Sequence, residues 1–200
     1  SIASKTTGNT TGKITSQHGL IYDYLLKTYG IDFARDYLNA NQKGISNIKE
    51  IIDENCINCD FEYKNSFVFT QDSNYIQKFE DEYKALEKIG FSSILNKDLN
   101  LSFNIVSSLG FPNQAQFNSI KYISGILEFL NKNNVKIYEN SKVIDIKQNN
   151  EICKVSTEYA TVNCKYAVIA TRYPFINFPG FHFLKMYQSS SYVIAIDTDR

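Results

Sequence analysis

The chain has 200 residues, 43% of them hydrophobic, and its 21 basic and 21 acidic residues give a formal net charge of zero. This composition is enough to bury a core in one domain or in two small lobes. The balanced charge provides no broad basic surface, which argues against nucleic acid as a partner, and the apolar runs are too short to span a membrane. Because the N-terminus also lacks the apolar core of a signal peptide, we expect a soluble, cytoplasmic protein.

The first notable feature is a polar segment near the N-terminus. Residues 6–15 carry five hydroxyls, two glycines and a lysine, a composition suited to holding phosphate. The segment is not a P-loop, because Thr7 stands where that motif needs glycine and Ile14 stands where it needs a hydroxyl. The alternative is an ordinary polar loop that caps the next helix through Thr15 or Ser16. This segment alone leaves both interpretations open.

Two helices are predicted to follow the polar segment. Apolar residues at helical spacing predict a first helix over residues 17–29, ended by Gly30. A second helix is predicted from residue 32 to about residue 55, with an interruption near Gly44. The N-terminal part of the chain is therefore expected to be mainly helical.

The cysteine pair that follows raises the question of metal or redox chemistry. Cys56 and Cys59 have the spacing of a zinc knuckle or of a thiol-disulfide motif. A zinc site needs four ligands, and Cys153 and Cys164 do not form a second close pair. We therefore expect plain reduced thiols and no metal site.

A strand and a third helix are predicted next. Residues 62–70 alternate as a strand does, and Ser73 is the predicted cap of a helix over residues 74–89. One face of this helix carries a stripe of large residues that we expect to be core. The stripe consists of Tyr75, Phe79, Tyr83 and Leu86.

Residues 104–117 are strand-like and include two glutamines, Gln114 and Gln116. The simpler interpretation of this segment is an edge strand whose glutamines are solvated. A further helix is predicted over residues 120–133.

The C-terminal third is predicted to contain several strands. Residues 135–147 and 152–165 alternate in pattern, and pairing Ser156 with Thr161 would place Cys153 opposite Cys164. Residues 166–170 form an uninterrupted apolar run, which is typical of a strand buried on both faces of a parallel sheet. The end of that strand, at Thr171, is a natural position for a ligand. Another strand is predicted to begin within residues 185–193.

These patterns together resemble one protein family. The loop at residues 7–19, the helix at 120–133, the strands and meander over 136–165 and the strand ending at Ala170 and Thr171 are similar in order to the FAD-dependent oxidoreductases of the D-amino-acid oxidase and glycine oxidase (DAO) type. The resemblance implies a mixed α/β (α+β) fold. It would combine part of an FAD/NAD(P)-binding, Rossmann-like domain with a sheet-and-helix substrate-domain lobe.

The resemblance also implies a division of the chain between those two parts. Residues 1–60 would supply the cofactor loop and helices of the FAD-binding domain, and residues 61–118 the substrate-domain lobe. Residues 119–180 would return to the FAD-binding domain with a helix, a β-meander and a terminal strand, and residues 181–200 would begin a return to the substrate-domain lobe.

Site residues are assigned by the same resemblance. The expected cofactor-binding residues are Thr7, Gly8, Asn9, Thr10, Thr11, Gly12, Lys13, Val143 and Thr171. Lys13 would lie near the flavin ring, where its charge would stabilise a reduced, anionic flavin, and Val143 would contact adenine. Gln114 and Gln116 would present amides to the substrate. Arg172 departs from the broader family, which usually has glycine there.

The implied function is oxidation of an amine, an amino acid or a similar small substrate by hydride transfer to FAD. The expected partners are this substrate and the remainder of the full-length chain. The family opens with a Gly-x-Gly-x-x-Gly turn, which this chain lacks, so we expect an internal fragment that by itself is inactive and binds FAD weakly or not at all. No catalytic residue is predicted, and we expect structural roles for His18 and His182.

A second hypothesis comes from a different functional class. The chain would be a non-catalytic interaction or regulatory domain, and its threonine-rich loop would do no more than cap a helix.

Overall fold

The structure is a computed structural model that describes residues 2–97, 99–149, 151–171, 173–176 and 180–187. It divides into two compact units, residues 1–137 and residues 138–200. The first unit contains β1 (Lys13–Ile14), α1 (Tyr22–Tyr29), α2 (Ile31–Glu54), β2 (Glu62–Thr70), a 3₁₀ turn (Ser73–Tyr75), α3 (Ile76–Ile89), β3 (Ile94–Asn96), β4 (Ser107–Gln116) and α4 (Ser119–Lys132). The second contains β5 (Val143–Asn149), β6 (Ile152–Thr157), β7 (Thr161–Cys164) and α5 (His182–Lys185). The mixed α/β fold class is thereby confirmed.

An antiparallel sheet with β4 at its centre organises the first unit. Strand β2 pairs along one edge of β4, and β1 and β3 pair with β4 as well. The expectation of an edge strand is therefore wrong, since β4 has neighbours on both sides. Of its two glutamines, Gln114 is buried rather than solvated, whereas Gln116 is exposed, as expected. Pairing on both sides also satisfies the backbone N–H and C=O groups that an edge strand would leave open.

A β-bulge interrupts the pairing of β2 with β4. Ser66 pairs with Phe111 and Lys64 pairs with Gln114, so one residue of β2 faces two residues of β4. The two residues opposite Asn65 are Pro112 and Asn113, and Asn113 has a left-handed backbone with φ of 54°. Proline is tolerated at a bulge because the ladder needs no N–H there. Because a bulge shifts the alternation of faces, Gln114 and Gln116 share the face that carries Leu109 and Phe111.

Helices α1, α2 and α3 pack on the sheet around one hydrophobic core. The core residues are Tyr22, Leu25, Ala34, Leu38, Phe79, Leu86, Ile89, Leu109 and Phe111. Two members of the predicted aromatic stripe, Phe79 and Leu86, are core, and Tyr83 packs against them, but Tyr75 is exposed. Burial of these side chains is the main stabilising contribution of the first unit.

Helix α2 runs unbroken through Gly44, so the predicted interruption is wrong. Its buried residues Ala34, Leu38 and Ile45 continue one apolar stripe across the glycine. A glycine in a helix interior costs about 1 kcal/mol relative to alanine. Packing of the stripe against the core outweighs that cost.

Helix α1 begins at Tyr22, five residues later than predicted. Its N-cap residue is Ile21, which makes no side-chain capping hydrogen bond, so neither Thr15 nor Ser16 caps this helix. The predicted cap of the third helix is also wrong, because the side chain of Asp72, rather than that of Ser73, accepts the hydrogen bond from the Asn74 N–H.

Glu82 of α3 takes over the capping of α1. Its carboxylate accepts hydrogen bonds from the backbone N–H groups of Tyr22, at 2.8 Å, and Asp23, at 2.7 Å. The side chain is fully buried, and this burial raises the pKa of Glu82 above its usual range. The sequence carried one sign of this role, since Glu82 lies three residues after Phe79 on the buried face of α3.

A buried polar network ties the segment after the N-terminal loop to β4. Gln114 Oε1 accepts hydrogen bonds from the Ser16 N–H at 2.7 Å, the Ser16 hydroxyl at 3.1 Å and the Thr15 hydroxyl at 3.0 Å. Gln17 donates to the Leu109 carbonyl and accepts from the Ser66 hydroxyl. The buried side chains in this network therefore have partners that compensate for their loss of water.

Tyr22 closes the network from the helix side. Its hydroxyl donates to the Ser16 carbonyl at 2.7 Å, and Gln42 donates to the Ser16 hydroxyl at 2.8 Å. Burial raises the pKa of Tyr22, which keeps this hydroxyl protonated as a donor.

The second unit contains the predicted meander. Strands β5, β6 and β7 pair in sequence order, all antiparallel. Ser156 pairs with Thr161, and Cys153 lies directly opposite Cys164, as predicted. Residues 135–138 are not part of a strand, which corrects the first part of the predicted pattern.

The apolar run at residues 166–170 is also not a strand in this structure. Tyr166 is 87% exposed and Val168 is 90% exposed, so the expectation of burial on both faces is wrong here. A buried parallel strand needs parallel neighbours, and the ladders among the described residues of this unit are antiparallel. Arg172 lies outside the described residues. So do residues 188–193, which form most of the further strand predicted within residues 185–193.

No helix in the described ranges is long and apolar enough to cross a membrane.

Replacing Glu82 with glutamine tests its capping role through pH. Folding raises the pKa of Glu82, so protonation of this carboxyl group stabilises the folded wild-type protein at low pH. This contribution to the unfolding free energy decreases as pH rises from about 4.5 through the raised pKa. Glutamine lacks this term and turns an N–H toward one backbone N–H, which costs about 1–3 kcal/mol. We expect the stability difference to be largest near the lower pH and to narrow as pH rises, as measured by urea unfolding across a pH series. Glu87→Gln, on the exposed face of α3, is the control and should run parallel to wild type.

Replacing Gln114 with leucine tests the buried network. The change removes the acceptor of three hydrogen bonds and should lower the unfolding free energy by about 2–4 kcal/mol. Gln116→Leu, on the exposed part of the same strand, should change it by less than about 0.5 kcal/mol. Chemical denaturation followed by circular dichroism measures both, and equal losses would contradict a special role for Gln114.

Candidate functional site

The N-terminal loop is an exposed turn that is folded by its own backbone. The Gly8 N–H donates to the Lys5 carbonyl at 3.1 Å, and the Asn9 N–H donates to the Thr6 carbonyl at 3.2 Å. The Asn9 side chain adds a bond to the Lys5 carbonyl at 2.8 Å. The loop therefore has a defined conformation although most of its side chains are in water.

Two contacts attach the loop to the end of β4 and the start of α4. The Phe117 N–H donates to the Gly12 carbonyl at 3.0 Å, and the Ser119 hydroxyl donates to the Thr7 carbonyl at 3.0 Å. Gly12 is buried, has a φ of 69°, and a Cβ there would overlap the Phe117 carbonyl. Only glycine suits this position.

The loop does not cap α4. The Asn118 side chain caps that helix by accepting hydrogen bonds from the N–H groups of Ile120 and Lys121. With α1 capped by Glu82, the idea of a threonine-rich loop acting as a helix cap is wrong for both helices.

The loop instead keeps several donors free. Within the described part of the chain, the hydroxyls of Thr7, Thr10 and Thr11 and the ammonium of Lys13 have no hydrogen-bond or ion-pair partner. These are the groups that bind phosphate oxygens in proteins. The donor set therefore suits the FAD phosphates.

A small cavity lined by β1, β4 and the bulged part of β2 brings predicted cofactor and substrate residues together. Its volume is about 280 Å³, and it is lined by Thr11, Lys13, Lys64, Asn65, Ser66, Phe67, Gln114, Ala115 and Gln116. Lys13 is the direct cross-strand partner of Gln116, so the pairing of β1 with β4 holds these two residues next to each other. The sequence did not single out Lys64 and Asn65, although the Pro112 and Asn113 pair signals the bulge opposite them.

The two glutamines differ in how much of their amide is free. Gln114 Oε1 is occupied by the network, and its Nε2 donates to the Pro112 carbonyl at 2.8 Å. Gln116 is exposed and makes one weak bond, from Nε2 to Glu62 at 3.3 Å. Gln116 is thus the more available of the pair, and the substrate role of both stays a prediction.

A second cavity, of about 540 Å³, lies within the second unit. Val143 and Thr171 both line it, together with Ile146, Val155, Cys164, Ala167, Ala170, Phe175 and other mostly apolar residues. Such a lining suits a flat aromatic ring such as adenine. The two predicted cofactor residues of this unit therefore share one cavity, and their binding role stays a prediction.

The cysteines show no arrangement for metal binding. Cys56 is exposed, Cys59 is buried, and all four thiols are free. Burial raises the pKa of the Cys59 thiol, which opposes the reactive thiolate form. Among the described residues there is no group of three or more side chains that could hold a metal ion.

The histidines have local contacts. His18 Nδ1 lies 2.9 Å from the Tyr37 hydroxyl, and the two rings meet edge to face. His182 begins the short helix α5. His18 is not in a helix, but its tyrosine contact agrees with the structural role that the sequence suggested.

Comparison with known sequences gives two matches. The sequence model of the FAD dependent oxidoreductase family (DAO) matches residues 1–200. A protein of Bacillus subtilis (strain 168), called putative Rieske 2Fe-2S iron-sulfur protein YhfW, is 34% identical over 191 residues. The match covers 96% of this chain and 38% of that protein. The chain thus spans well under half the length of this relative.

Solved structures share the fold. Glycine oxidase from Geobacillus kaustophilus superposes with a TM-score of 0.63 at 14% identity, covering 90% of this chain and 48% of the enzyme. Glycine oxidase from Bacillus cereus ATCC 14579 superposes with a TM-score of 0.56 at 16% identity, and the match covers 82% of this chain and 44% of that enzyme. L-proline dehydrogenase from P. horikoshii superposes with a TM-score of 0.52 at 11% identity, and the match covers 64% of this chain and 36% of that enzyme. Because the family model matches the whole length of this chain, residues 1–200, the chain belongs to the FAD-dependent oxidoreductases of the DAO family.

Proposed function

We propose that this chain supplies part of the cofactor and substrate sites of an enzyme that oxidises an amine, an amino acid or a similar small molecule by hydride transfer to FAD. The observation that carries the proposal is the cavity lined by β1, β4 and β2, because it gathers Thr11 and Lys13 with Gln114 and Gln116 of β4. Family membership supports a flavin cofactor but leaves the substrate open.

Each group of residues has a distinct task in this proposal. The free hydroxyls of Thr7, Thr10 and Thr11 hold phosphate oxygens, and Gly8, Asn9 and Gly12 set the loop conformation that presents them. Lys13 places a positive charge beside the reacting centre, where it favours developing negative charge. The chemistry that FAD would supply in this site is acceptance of a hydride from the substrate carbon.

The remaining residues orient the two ends of the bound molecules. Val143 and Thr171, in the second unit, line the cavity assigned to adenine. Gln116 offers an exposed amide for a polar group of the substrate, and Gln114 positions the strand through its network. No side chain is assigned a proton-transfer role, because flavin amine oxidation depends mainly on hydride acceptance by the cofactor.

The setting of the enzyme is also part of the proposal. The chain would act in the cytoplasm, as part of a longer polypeptide with a small-molecule substrate as partner. The four sequence segments bounded at residues 60, 118 and 180 would alternate between the cofactor domain and the substrate lobe. The name of the Bacillus subtilis relative refers to an iron–sulfur cluster. We assign no such cluster to the described residues, because they contain no group suited to holding metal.

Flavin content tests the cofactor assignment. The full-length protein that contains this sequence should carry visible flavin absorbance after gentle purification, and an amine or amino acid substrate should bleach it in the absence of oxygen. The 200-residue chain alone should retain little flavin. A colourless full-length protein that takes up no added FAD would overturn the proposal.

Gly12→Ala tests the loop. A Cβ at Gly12 overlaps the Phe117 carbonyl and strains a positive φ, so the loop must move and its donors shift. We expect at least tenfold weaker FAD binding by the full-length protein, measured by fluorescence titration. Gly44→Ala, where a Cβ meets nothing within 4 Å in a helix interior, is the matched control and should leave FAD affinity unchanged.

A further inference from the structure

Two cysteines of the second unit face each other across neighbouring strands. Cys153 of β6 pairs directly with Cys164 of β7 in an antiparallel ladder. Residues directly opposite in such a ladder have Cα atoms about 4.5–5.5 Å apart, and their side chains leave the same face of the sheet. A disulfide needs Cα atoms about 4.4–6.8 Å apart. The backbone of this hairpin therefore holds the two residues at a separation that a disulfide can bridge.

The Cys164 thiol is turned toward the other cysteine. Its Sγ donates a hydrogen bond to the Cys153 carbonyl at 3.6 Å, and both thiols are free in the structure. Because this contact already places the Cys164 sulfur beside Cys153, bond formation requires side-chain rotations rather than a shift of either strand.

The rest of the hairpin fixes the pairing of the two cysteines. Three further residue pairs lie between them and the turn. At the turn, the Thr157 N–H donates to the Ala160 carbonyl at 2.8 Å, and the Thr157 hydroxyl accepts from the Ala160 N–H at 3.0 Å. Strand β5 pairs with the other edge of β6. A slip by one residue would turn one of the cysteines to the opposite face of the sheet, and these bonds oppose it.

The two thiols differ in their access to small molecules. Cys153 is only 8% exposed, whereas Cys164 is half-buried and lines the cavity of about 540 Å³ in the same unit. A small oxidant therefore reaches the Cys164 sulfur first. Cys153 lies behind it, at the position of a second thiol that reacts with the oxidised one.

The Cys56 and Cys59 pair offers a contrast within the same chain. Cys56 is exposed and donates to the Asp53 carbonyl at 3.8 Å, whereas Cys59 is buried. They lie three residues apart in the segment that follows α2, and no ladder sets their side chains on a common face. This pair is the internal control for Cys153 and Cys164.

We propose that Cys153 and Cys164 are a modification site, at which a hydroperoxide converts the two thiols into a reversible disulfide. The Cys164 thiolate attacks the hydroperoxide; an S–O bond forms, the O–O bond breaks and an alcohol or water leaves. The Cys153 sulfur then attacks the Cys164 sulfur; an S–S bond forms, the S–O bond breaks and water leaves. The proton lost by each thiol ends on the departing oxygen, and two electrons pass from the thiols to the hydroperoxide. A small thiol reverses the change by exchange.

Peptide mapping of the full-length protein tests the site. The protein is treated with hydrogen peroxide, its remaining thiols are alkylated, and it is digested with trypsin. Trypsin cuts after Lys154, so Cys153 falls in peptide 148–154 and Cys164 in peptide 155–165. The two peptides should appear joined, with a mass equal to their sum less two hydrogen atoms. This species should rise about tenfold over the untreated sample and disappear with dithiothreitol.

Matched variants separate this site from general thiol oxidation. Cys153→Ser should leave Cys164 as a sulfenic acid that dimedone labels, because the second thiol is missing. Cys56→Ser should leave the joined peptides as abundant as in wild type. The proposal is overturned if oxidised wild-type protein yields no joined peptides, or if Cys164 joins other cysteines as often as it joins Cys153. The readout is a peptide mass, so it does not depend on flavin content or on enzymatic activity.

Discussion

The buried amide of Gln114 is the constraint on which the arrangement of the first unit depends. It gathers the Ser16 N–H and the hydroxyls of Thr15 and Ser16 on one oxygen, inside a protein region that excludes water. An unpaired donor at this depth would be costly, so the chain between residues 13 and 17 has few alternative positions. The register of β1 against β4, and with it the position of Lys13 beside Gln116, follows from this attachment.

The loop before β1 combines a rigid base with an open surface. Gly12 and the Ser119 hydroxyl hold its backbone against the junction of β4 and α4, whereas the hydroxyls of Thr10 and Thr11 remain without partners in the described residues. A binding loop benefits from this combination, because the ordering cost is met during folding and the donors stay free for a ligand. A loop that served only as a cap would have used those groups internally.

The sequence predicted those elements whose signals are local. Strand β2 occupies the predicted residues 62–70, since its alternation and its flanking turns are both contained in the segment. The facing of Cys153 and Cys164 followed from the geometry of a single hairpin. Helix α2 was predicted with a break because Gly44 was weighed by its propensity, whereas packing of the apolar stripe determined the result.

Long-range features were less accessible to sequence reasoning. Glu82 caps a helix about 60 residues earlier in the chain. Its spacing from Phe79 indicates that it is buried, but no local pattern identifies the helix that it caps. The apolar run at residues 166–170 predicted a buried strand, but strand formation requires neighbours that the local sequence does not specify.

Local sequence signals were also insufficient for parts of the candidate site. The family resemblance assigned Thr11 and Lys13 to the cofactor and the two glutamines to the substrate, whereas their meeting in one cavity comes from the structure. Lys64 was missed because a lysine on an alternating strand is typical of a solvated face. Its place in the cavity depends on pairing with β4, which only the structure reveals.

Hydrogen exchange at single amides tests the central claim most directly. The Ser16 amide, bonded to buried Gln114, should exchange only when the first unit unfolds, whereas the amides of Thr10 and Thr11 should exchange rapidly. In the full-length protein, added FAD should slow the two threonine amides and leave Ser16 unchanged. Rapid exchange at Ser16, or threonine amides that do not respond to FAD, would contradict an anchored loop held open for the cofactor.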